Sequence, residues 1–451
     1  MIEGYKGLKP FWFGLDSNSS IKAPNEFTHV RWRSLAGGRQ PDITSEKPMT
    51  ELIQNRYAIL QKLGEGGMGT VYLVEDTLNN NQVLALKLIR GDLLNERAVA
   101  QFKAEFEALA QLRHPNLVQV YEFSGLIQEQ QEEQQYFFTM EYIAGEDWPT
   151  LARRRAQDAP HEVTWLYDVL VQICRALQYI HSRGFIHYDL KPSNVRITPN
   201  GQVKLTDFGL IGRLRRGGGR PARGTPAYIA PELIRGEAVD HRVDLYSLGI
   251  SLYEIITGQL PFDQGSSALI LQIQEPTPIT LPPEVTETLP APLCDLIHKL
   301  MAKDPDDRPD SANAIIREVN AMSERTYAME TRETLQGYIH SGAFVGRESE
   351  LARLQGLLVR TQHGQGQLVF IAGPAGIGKT RLVHEVRRRA QMQGVLVCEG
   401  ICHEHARIPY RPWLAIFRQV IAHYKSAQPE LLRMYDQTLV RLMPELSDAL
   451  D

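Results

Sequence analysis

The spacing of apolar residues predicts where strands and helices lie in the first part of the chain. From Tyr57, apolar and polar residues alternate on both sides of a glycine-rich segment, which is typical of a strand, a turn and a second strand. Residues 97–112 have helical spacing instead, which places Phe102, Phe106 and Leu109 on one face of a helix. The pattern therefore predicts a hairpin followed by an amphipathic helix.

Three segments lack such a pattern. Residues 1 to about 50 are rich in Ser, Asn, Gly and Pro, so we predict an irregular N-terminal extension over residues 1–56. A Gln/Glu tract from Gln128 to Gln135 separates two apolar runs and predicts an exposed hairpin loop. Residues 323–342 are polar and predict a linker.

The last part of the chain returns to regular spacing. The apolar runs at 368–373 and 395–398 each predict a strand, and residues 381–390 predict a helix. Between the first strand and the helix lies GPAGIGKT, from Gly373 to Thr380. A G-x-x-x-x-G-K-T sequence between a strand and a helix indicates a phosphate-binding loop.

Composition narrows the class of protein. The chain has 451 residues, enough for two or three domains, and a formal net charge of −4, which argues against a general nucleic-acid binder. Four cysteines are too few for a disulfide scaffold. The chain begins without a secretory signal pattern and has no run of about 18 apolar residues, so we expect a cytoplasmic protein without a membrane span.

Six short motifs follow one another in order, and any one alone would be weak. They are GEGGMGTV from Gly64, Lys87 in LALKLI, HYDLKPSN from His187, DFG from Asp207, GTPAYIAPE from Gly224 and DPDDRP ending at Pro309. Together they resemble a bacterial, Hanks-type serine/threonine protein kinase over residues 57–322. The resemblance implies an α+β, bilobal fold, with an N-lobe at 57–143 and a C-lobe at 144–322.

The resemblance also implies which residues carry phosphoryl transfer from ATP to protein Ser or Thr hydroxyls. Asp189 would accept the hydroxyl proton, while Lys191 and Thr225 fit serine/threonine rather than tyrosine kinases. Asn194 and Asp207 would hold Mg²⁺ through hard oxygen ligands. Three further positions are expected to be architectural: Glu232 and Arg308 as a buried ion pair, and Asp244 as an anchor of the catalytic-loop backbone.

Most of the residues expected to bind the nucleotide lie in the first lobe. Lys87 would meet the α- and β-phosphates, oriented by Glu105 or by its competitor Glu107. We favour Glu105, because Leu109 lies four residues later on the core-facing side of the helix. The predicted pocket comprises Leu63, Gly64, Gly66, Gly69, Val71, Ala85, Met140, Glu141, Ile143 and Arg196.

Two positions depart from the kinase pattern. Tyr188 replaces the usual Arg before the catalytic Asp, and Arg196 replaces an apolar residue that normally lies under the adenine. The stem or the guanidinium of Arg196 could still cover the base. Residues 210–224 contain five arginines and no Ser, Thr or Tyr, which predicts a loop that is not phosphorylated and is ordered by an acidic partner. A merely solvated basic loop is the alternative.

The second signature resembles the AAA/STAND group of signalling ATPases. It combines the FVGRE lead-in from Phe344 with Gly373, Gly378, Lys379 and Thr380 of the phosphate loop. No later apolar strand ending in paired acids follows, so we predict a truncated α/β ATPase domain at 343–451. Two alternatives to an active kinase stay open: an ATP-binding pseudokinase scaffold, and an input module for a STAND-type nucleotide switch.

Overall fold

The computed structural model describes most of the chain between residues 52 and 427. The described ranges are 52–66, 69–79, 81–89, 96–128, 133–158, 162–208, 212–213, 225–262, 273–335, 346–374, 376–402 and 411–427. The predicted N-terminal extension up to residue 51 and most of the arginine-rich loop lie outside these ranges. So does Gly209 of the DFG motif.

The first lobe is built on one antiparallel sheet of six strands. Their spatial order is β1-β2-β3-β4-β6-β5. The strands are β1 (Leu52–Ile53), β2 (Tyr57–Gly66), β3 (Gly69–Asp76), β4 (Gln82–Ile89), β5 (Val120–Gln128) and β6 (Glu133–Glu141). The two strands predicted around the glycine-rich segment are confirmed as β2 and β3, whose antiparallel pairing extends to Gly66 and Gly69. Residues 67 and 68 between them lie outside the described ranges.

The sheet begins inside the range predicted as N-terminal extension. Arg56, in the turn after β1, forms ion pairs with Asp76 on β3 and with Glu122 on β5, both at 2.8 Å. These contacts connect the turn to the interior strand β3 and to the edge strand β5. Residues 52–56 therefore belong to the first lobe.

The Gln/Glu tract lies where β5 turns back into β6. Gln128 pairs with Glu133 in antiparallel register, so the predicted hairpin is confirmed. The ends of the tract are strand rather than loop, because the pairing of β5 with β6 continues to its last described residues. Residues 129–132 lie outside the described ranges.

The predicted helix after β4 is confirmed as α1 (Glu96–Ala110). Its apolar face is buried against the sheet: Phe102 and Phe106 lie 5.0 and 5.9 Å from Phe138 on β6, measured between ring centroids. Leu109 on the same face is also buried. This packing fixes how α1 presents its other side chains to β4.

The second lobe is helical. Its helices are α2 (Trp148–Asp158), α3 (Thr164–Ser182), α4 (Pro231–Ile234), α5 (Arg242–Thr257), α6 (Pro283–Thr286), α7 (Ala291–Leu300) and α8 (Ala312–Met322). Helix α5 passes through the core, where Gly249 lets α7 approach: a Cβ there would lie 2.8 Å from the Cβ of Leu300. The predicted α+β class with two lobes is confirmed.

Two small sheets support the loops between the lobes. One has the order β10-β9-β7, and the other pairs β11 with β8. The strands are β7 (Glu146–Asp147), β8 (Phe185–Ile186), β9 (Val195–Ile197), β10 (Val203–Leu205) and β11 (Gly212–Arg213). Because β8, β9 and β10 flank the HYDLKPSN and DFG motifs, these pairings hold both motifs in place.

The first part of the predicted linker packs along α3. The Tyr327 hydroxyl donates to Asp168 at 2.8 Å, and Arg325 forms an ion pair with the same carboxylate at 3.0 Å. Arg175 on α3 donates to the carbonyl oxygen of Ala328 at 3.2 Å. Residues 323–335 are therefore held on the second lobe.

The C-terminal part contains α9 (Glu348–Gln362), α10 (Lys379–Met392) and α11 (Arg411–Ala427). A small apolar cluster of Leu351, Leu354, Leu382 and Val386 joins α9 to α10. The helix predicted over 381–390 is confirmed as α10. We call residues 346–427 the ATPase module.

The two strands predicted in this module are not formed. Apart from an isolated bridge at Phe370, the described residues of 365–374 and 395–402 contain no strand. A β-strand requires a hydrogen-bonded neighbour, and the described part of the module supplies none. Leu368 and Phe370 are accordingly 65% and 74% exposed.

None of the described helices is both long and apolar enough to cross a membrane.

Candidate active site

The glycines of the hairpin between β2 and β3 have two kinds of surroundings. A Cβ on Gly69 would lie 2.2 Å from the carbonyl oxygen of Leu88 on β4, so only glycine fits there. A Cβ on Gly64 would meet no atom within 4 Å, and one on Gly66 would meet only an oxygen at 4.0 Å. Leu63 lies at a register shift directly before Gly64. The backbone at Gly64 and Gly66 is therefore open to a ligand.

The predicted apolar pocket residues lie on neighbouring strands. Val71 is opposite Lys87 across β3 and β4, and Ala85 is opposite Met140 across β4 and β6. Because residues two apart on a strand share a face, Ala85 and Lys87 point to the same side of the sheet. Ile143, just past β6, donates its backbone N–H to no acceptor among the described residues. A planar base could use that donor beside this face.

Lys87 lies between two carboxylates. Its Nζ is 2.7 Å from Glu105 Oε1 on α1 and 3.3 Å from Asp207 Oδ1. Burial alone would lower the pKa of Lys87, but these two carboxylates raise it above its ordinary value. Lys87 therefore stays positively charged near the open glycine backbone.

The structure separates the two glutamates that compete for Lys87. Glu105 is 3% exposed and faces β4, next to the buried ring of Phe106. Glu107 is exposed on the opposite side of α1, where its Oε1 lies 3.8 Å from Arg388. The packing of α1 thus brings Glu105, and not Glu107, to Lys87.

Asp189 is surrounded by donors from two segments of the second lobe, HYDLKPSN and GTPAYIAPE. Its Oδ2 lies 3.0 Å from Lys191 Nζ. Its Oδ1 accepts from the backbone N–H and the hydroxyl of Thr225, at 2.9 and 2.8 Å. Lys191 also donates to the Thr225 hydroxyl at 2.7 Å, and Asn194 donates to the Asp189 carbonyl at 2.8 Å. The carboxylate is thereby fixed in position while it remains partly exposed.

The backbone before Asp189 is held by Asp244 of α5. The carboxylate of Asp244 accepts from the backbone N–H groups of His187 and Tyr188, both at 2.9 Å, and lies 2.7 Å from His181 Nε2. Burial alone would raise the pKa of Asp244, but the bonds and charges of the two histidines lower it below its ordinary value. The predicted anchoring role of Asp244 is confirmed.

Asn194 and Asp207 offer the oxygens that a hard cation requires. The amide nitrogen of Asn194 is bonded to Asp189, which leaves its Oδ1 as the free ligand atom among the described residues. Asp207 adopts a left-handed backbone (φ 55°), unusual for a non-glycine residue. That turn leaves its carboxylate half exposed and directed to the Lys87 side. The two side chains suit Mg²⁺.

Two cations from the second lobe reach the segment around the end of β6. Arg196 on β9 donates to the carbonyl oxygen of Gly145, and Lys204, opposite it on β10, lies 2.8 Å from Glu141 Oε2. The guanidinium of Arg196 is therefore engaged, which leaves its methylene stem to cover a base. Sequence reasoning missed Lys204, because a single Lys in the strand Val203–Leu205 carries no chemical signal.

The phosphate loop of the ATPase module precedes α10. Gly378 caps the helix with φ 94°, a conformation that favours glycine. Lys379 donates to the carbonyl oxygens of Gly373 and Pro374, at 2.9 and 3.1 Å, and Arg347 of the FVGRE segment reaches the Ile377 carbonyl at 3.3 Å. The lead-in and the loop therefore form one unit at the start of α10, where Thr380 is exposed.

Comparison with known families agrees with this geometry. Residues 57–319 match the protein kinase domain. The chain belongs to the protein kinase family. Residues 343–450 match the AAA ATPase domain, so the kinase domain is followed by an ATPase domain. The resemblance inferred from the motifs is confirmed on both counts.

Curated bacterial relatives cover the kinase domain. The serine/threonine-protein kinase pkn3 of Myxococcus xanthus is 34% identical over 308 residues, which are 65% of this chain and 54% of that protein. PrkC of Bacillus subtilis is 31% identical over 63% of this chain and 43% of its own length. The DNA damage-responsive kinase RqkA of Deinococcus radiodurans is 36% identical over 58% and 39%. The chain thus spans about half or less of these relatives.

Within the kinase domain, Tyr188 stands where the family usually has Arg. Its backbone is left-handed (φ 66°), and its side chain is 8% exposed within the core of the second lobe. A buried phenol cannot supply the permanent positive charge with which an Arg would contact a phosphate on the activation segment. The Tyr188 side chain instead packs in the core of the second lobe.

Proposed function

We propose that this chain is a serine/threonine protein kinase that acts in cytoplasmic signalling and uses ATP with Mg²⁺. The observation that carries the proposal is the Asp189 carboxylate, held by Lys191 and Thr225 while it remains partly exposed. The Lys87–Glu105 ion pair, with Asp207 beside it, supports the same conclusion.

In this proposal the chain's own residues position both reactants. Lys87 binds the α- and β-phosphates, and the open backbone at Gly64 and Gly66 lies against the phosphate oxygens. Asn194 and Asp207 would hold Mg²⁺, which neutralises phosphate charge when it is bound.

Asp189 then orients the substrate hydroxyl and accepts its proton. The hydroxyl oxygen forms a bond to the γ-phosphorus while the bond from that phosphorus to the bridging oxygen of ADP breaks. Lys191, whose Nζ lies 3.0 Å from Asp189 Oδ2, places a positive charge beside the reacting hydroxyl and can contact the transferred phosphoryl group. The products are ADP and a phosphorylated Ser or Thr.

The test is incubation of the chain with labelled ATP, Mg²⁺ and a generic protein substrate, followed by phosphoamino-acid analysis. We expect label on Ser and Thr that requires Mg²⁺. ATP binding without any transfer would favour the pseudokinase scaffold, and label on Tyr would contradict the assigned role of Lys191.

A second expected result concerns activation. Phosphatase treatment should leave kinase activity nearly unchanged, because residues 210–224 contain no Ser, Thr or Tyr and Tyr188 cannot contact a phosphate. Tyr188→Arg should not raise activity. We propose that an acidic partner orders this five-arginine loop instead. A large loss of activity after phosphatase treatment, traced to Thr225 or its neighbours, would overturn this view.

A third expected result concerns the ATPase module. We predict no ATP hydrolysis from it, because residues 343–451 lack a recognisable second acid to hold Mg²⁺ or orient water. Phosphate release should therefore vanish in the double variant Lys87→Ala, Asp189→Ala. Hydrolysis that survives in this variant and is lost on adding Lys379→Ala would contradict the prediction.

A further inference from the structure

The kinase domain and the ATPase module meet on the outer face of α1, which we define by Lys103 and Glu107. Lys103 Nζ donates to the carbonyl oxygen of Met392 at 3.5 Å, and Glu107 Oε1 lies 3.8 Å from Arg388. A third contact lies beyond α1, where Asn55 after β1 donates to the carbonyl oxygen of Ala422 at 3.1 Å. The module thus contacts both α1 and the edge of the sheet.

We define the surface of the module that contacts the kinase domain by four residues. We call it the docking face: Arg388, Gln391 and Met392 of α10, with Ala422 of α11. Gln391 is only 6% exposed, and Met392 packs against the hydrophobic core of the kinase domain. The carbonyl groups at the end of α10 carry partial negative charge, which suits the ammonium of Lys103. The burial of Met392 and the attraction between Lys103 and these carbonyl groups therefore both favour the contact.

Helix α1 links this contact to the Lys87 site. Lys103 and Glu107 flank Glu105 in sequence, but Glu105 points to the opposite side and bonds Lys87 at 2.7 Å. A helix is a stiff unit, so a displacement of its outer face also displaces Glu105. A change in how the module contacts α1 should therefore change the distance between Glu105 and Lys87.

The segment that connects the two domains also keeps the module close to α1. Residues 323–335 are fixed along α3 by Tyr327, Arg325 and their partner Asp168. Only residues 336–345 separate this segment from the first described residue of the module. A short tether keeps the effective concentration of the module near α1 high, so even a modest interface is populated.

We propose that the ATPase module binds the outer face of α1 through its docking face, and that this contact holds Glu105 on Lys87. The module is then a positive regulator within the same chain. The inference rests on the proposed kinase function for its activity readout, whereas the contact itself can be measured independently.

The experiment uses the full chain with one variant on each side of the contact: Met392→Asp on the module and Lys103→Glu on α1. Ala104→Glu is the control: it introduces the same side chain as Lys103→Glu and the same charge change of one unit as Met392→Asp, at an exposed position of α1. Amide hydrogen exchange reports docking, and kcat/KM for a protein substrate reports the effect on Glu105. Using both variants guards against a local folding defect in either one.

We expect both variants to speed amide exchange in α1 and to lower kcat/KM by about fivefold or more, the usual size of coupling between sites. Ala104→Glu should change neither. Unchanged exchange in α1 would overturn the docking, and faster exchange with unchanged kcat/KM would overturn its effect on Glu105. If the wild-type chain proves inactive, the proposed function fails, while the exchange result still decides whether the module docks.

Discussion

Replacement of Asp189 by Ala should lower phosphoryl transfer by about 10²- to 10⁴-fold, the range that a positioned proton acceptor supplies. The same change frees Thr225, whose backbone N–H and hydroxyl both donate to the Asp189 carboxylate. ATP binding should be largely spared, because the phosphate contacts come from Lys87 and the glycine hairpin. Turnover with labelled ATP and a separate nucleotide titration measure the two effects.

Two further variants separate proton acceptance from a loss of structure. Asp189→Asn keeps a hydrogen-bond acceptor for Thr225 but cannot take up the proton, so we expect it to be nearly as inactive as Asp189→Ala. Asp307→Ala removes an exposed carboxylate elsewhere in the second lobe and should behave like wild type. Wild-type turnover in Asp189→Ala would mean that the catalytic loop has been wrongly assigned.

Local sequence patterns anticipated much of the first lobe for physical reasons. The 3.6-residue period of α1 places Phe102, Phe106 and Leu109 on the buried side. It also turns Glu105 inward and Glu107 outward. One helical period therefore predicted both the packing and the partner that the structure gives to Lys87.

Contacts between distant segments could not be predicted in this way. Asp168 and Tyr327 bond across 159 residues, and Lys103 and Met392 across 289. The spacing of apolar residues predicts which face of a helix or strand is buried. It does not predict which distant segment packs against that face. The packing of residues 323–335 and the docking of the module therefore emerge only in three dimensions.

The predicted strands of the ATPase module failed for a related reason. An apolar run such as residues 368–373 indicates that a segment can be buried, but a strand forms only when a neighbour satisfies its backbone groups. Phe370 and Leu368 remain exposed in the described part of the module. The phosphate loop and α10 form without that sheet, because a helix satisfies its hydrogen bonds within itself.

Arg308 and Glu232 should provide the largest single effect on stability. Arg308 Nη1 and Nη2 bond the two carboxylate oxygens of Glu232 at 2.7 and 2.9 Å, and both side chains are almost fully buried. Arg308 Nε also donates to the Ala302 carbonyl at 2.8 Å. The predicted buried ion pair is confirmed, and its two parallel hydrogen bonds require both partners.

Arg308→Met should therefore lower the free energy of unfolding by about 3–5 kcal/mol, because it leaves the Glu232 charge buried and unpaired. Urea unfolding followed by circular dichroism measures this loss. Arg235→Met is the control, since its pair with Glu237 is partly exposed and should contribute about 1 kcal/mol or less. A loss in Arg308→Met no larger than in this control would contradict the assignment.

The double variant Arg308→Met, Glu232→Met tests whether the loss of stability in Arg308→Met comes from the unpaired Glu232 carboxylate. Removal of both charges should recover part of the stability that Arg308→Met loses, because no unpaired carboxylate then remains in the core. If the double variant is instead less stable than Arg308→Met by the full effect of Glu232→Met alone, the two residues act independently. The bidentate contact would then not be the origin of the effect, and the backbone acceptor at Ala302 would be the better explanation.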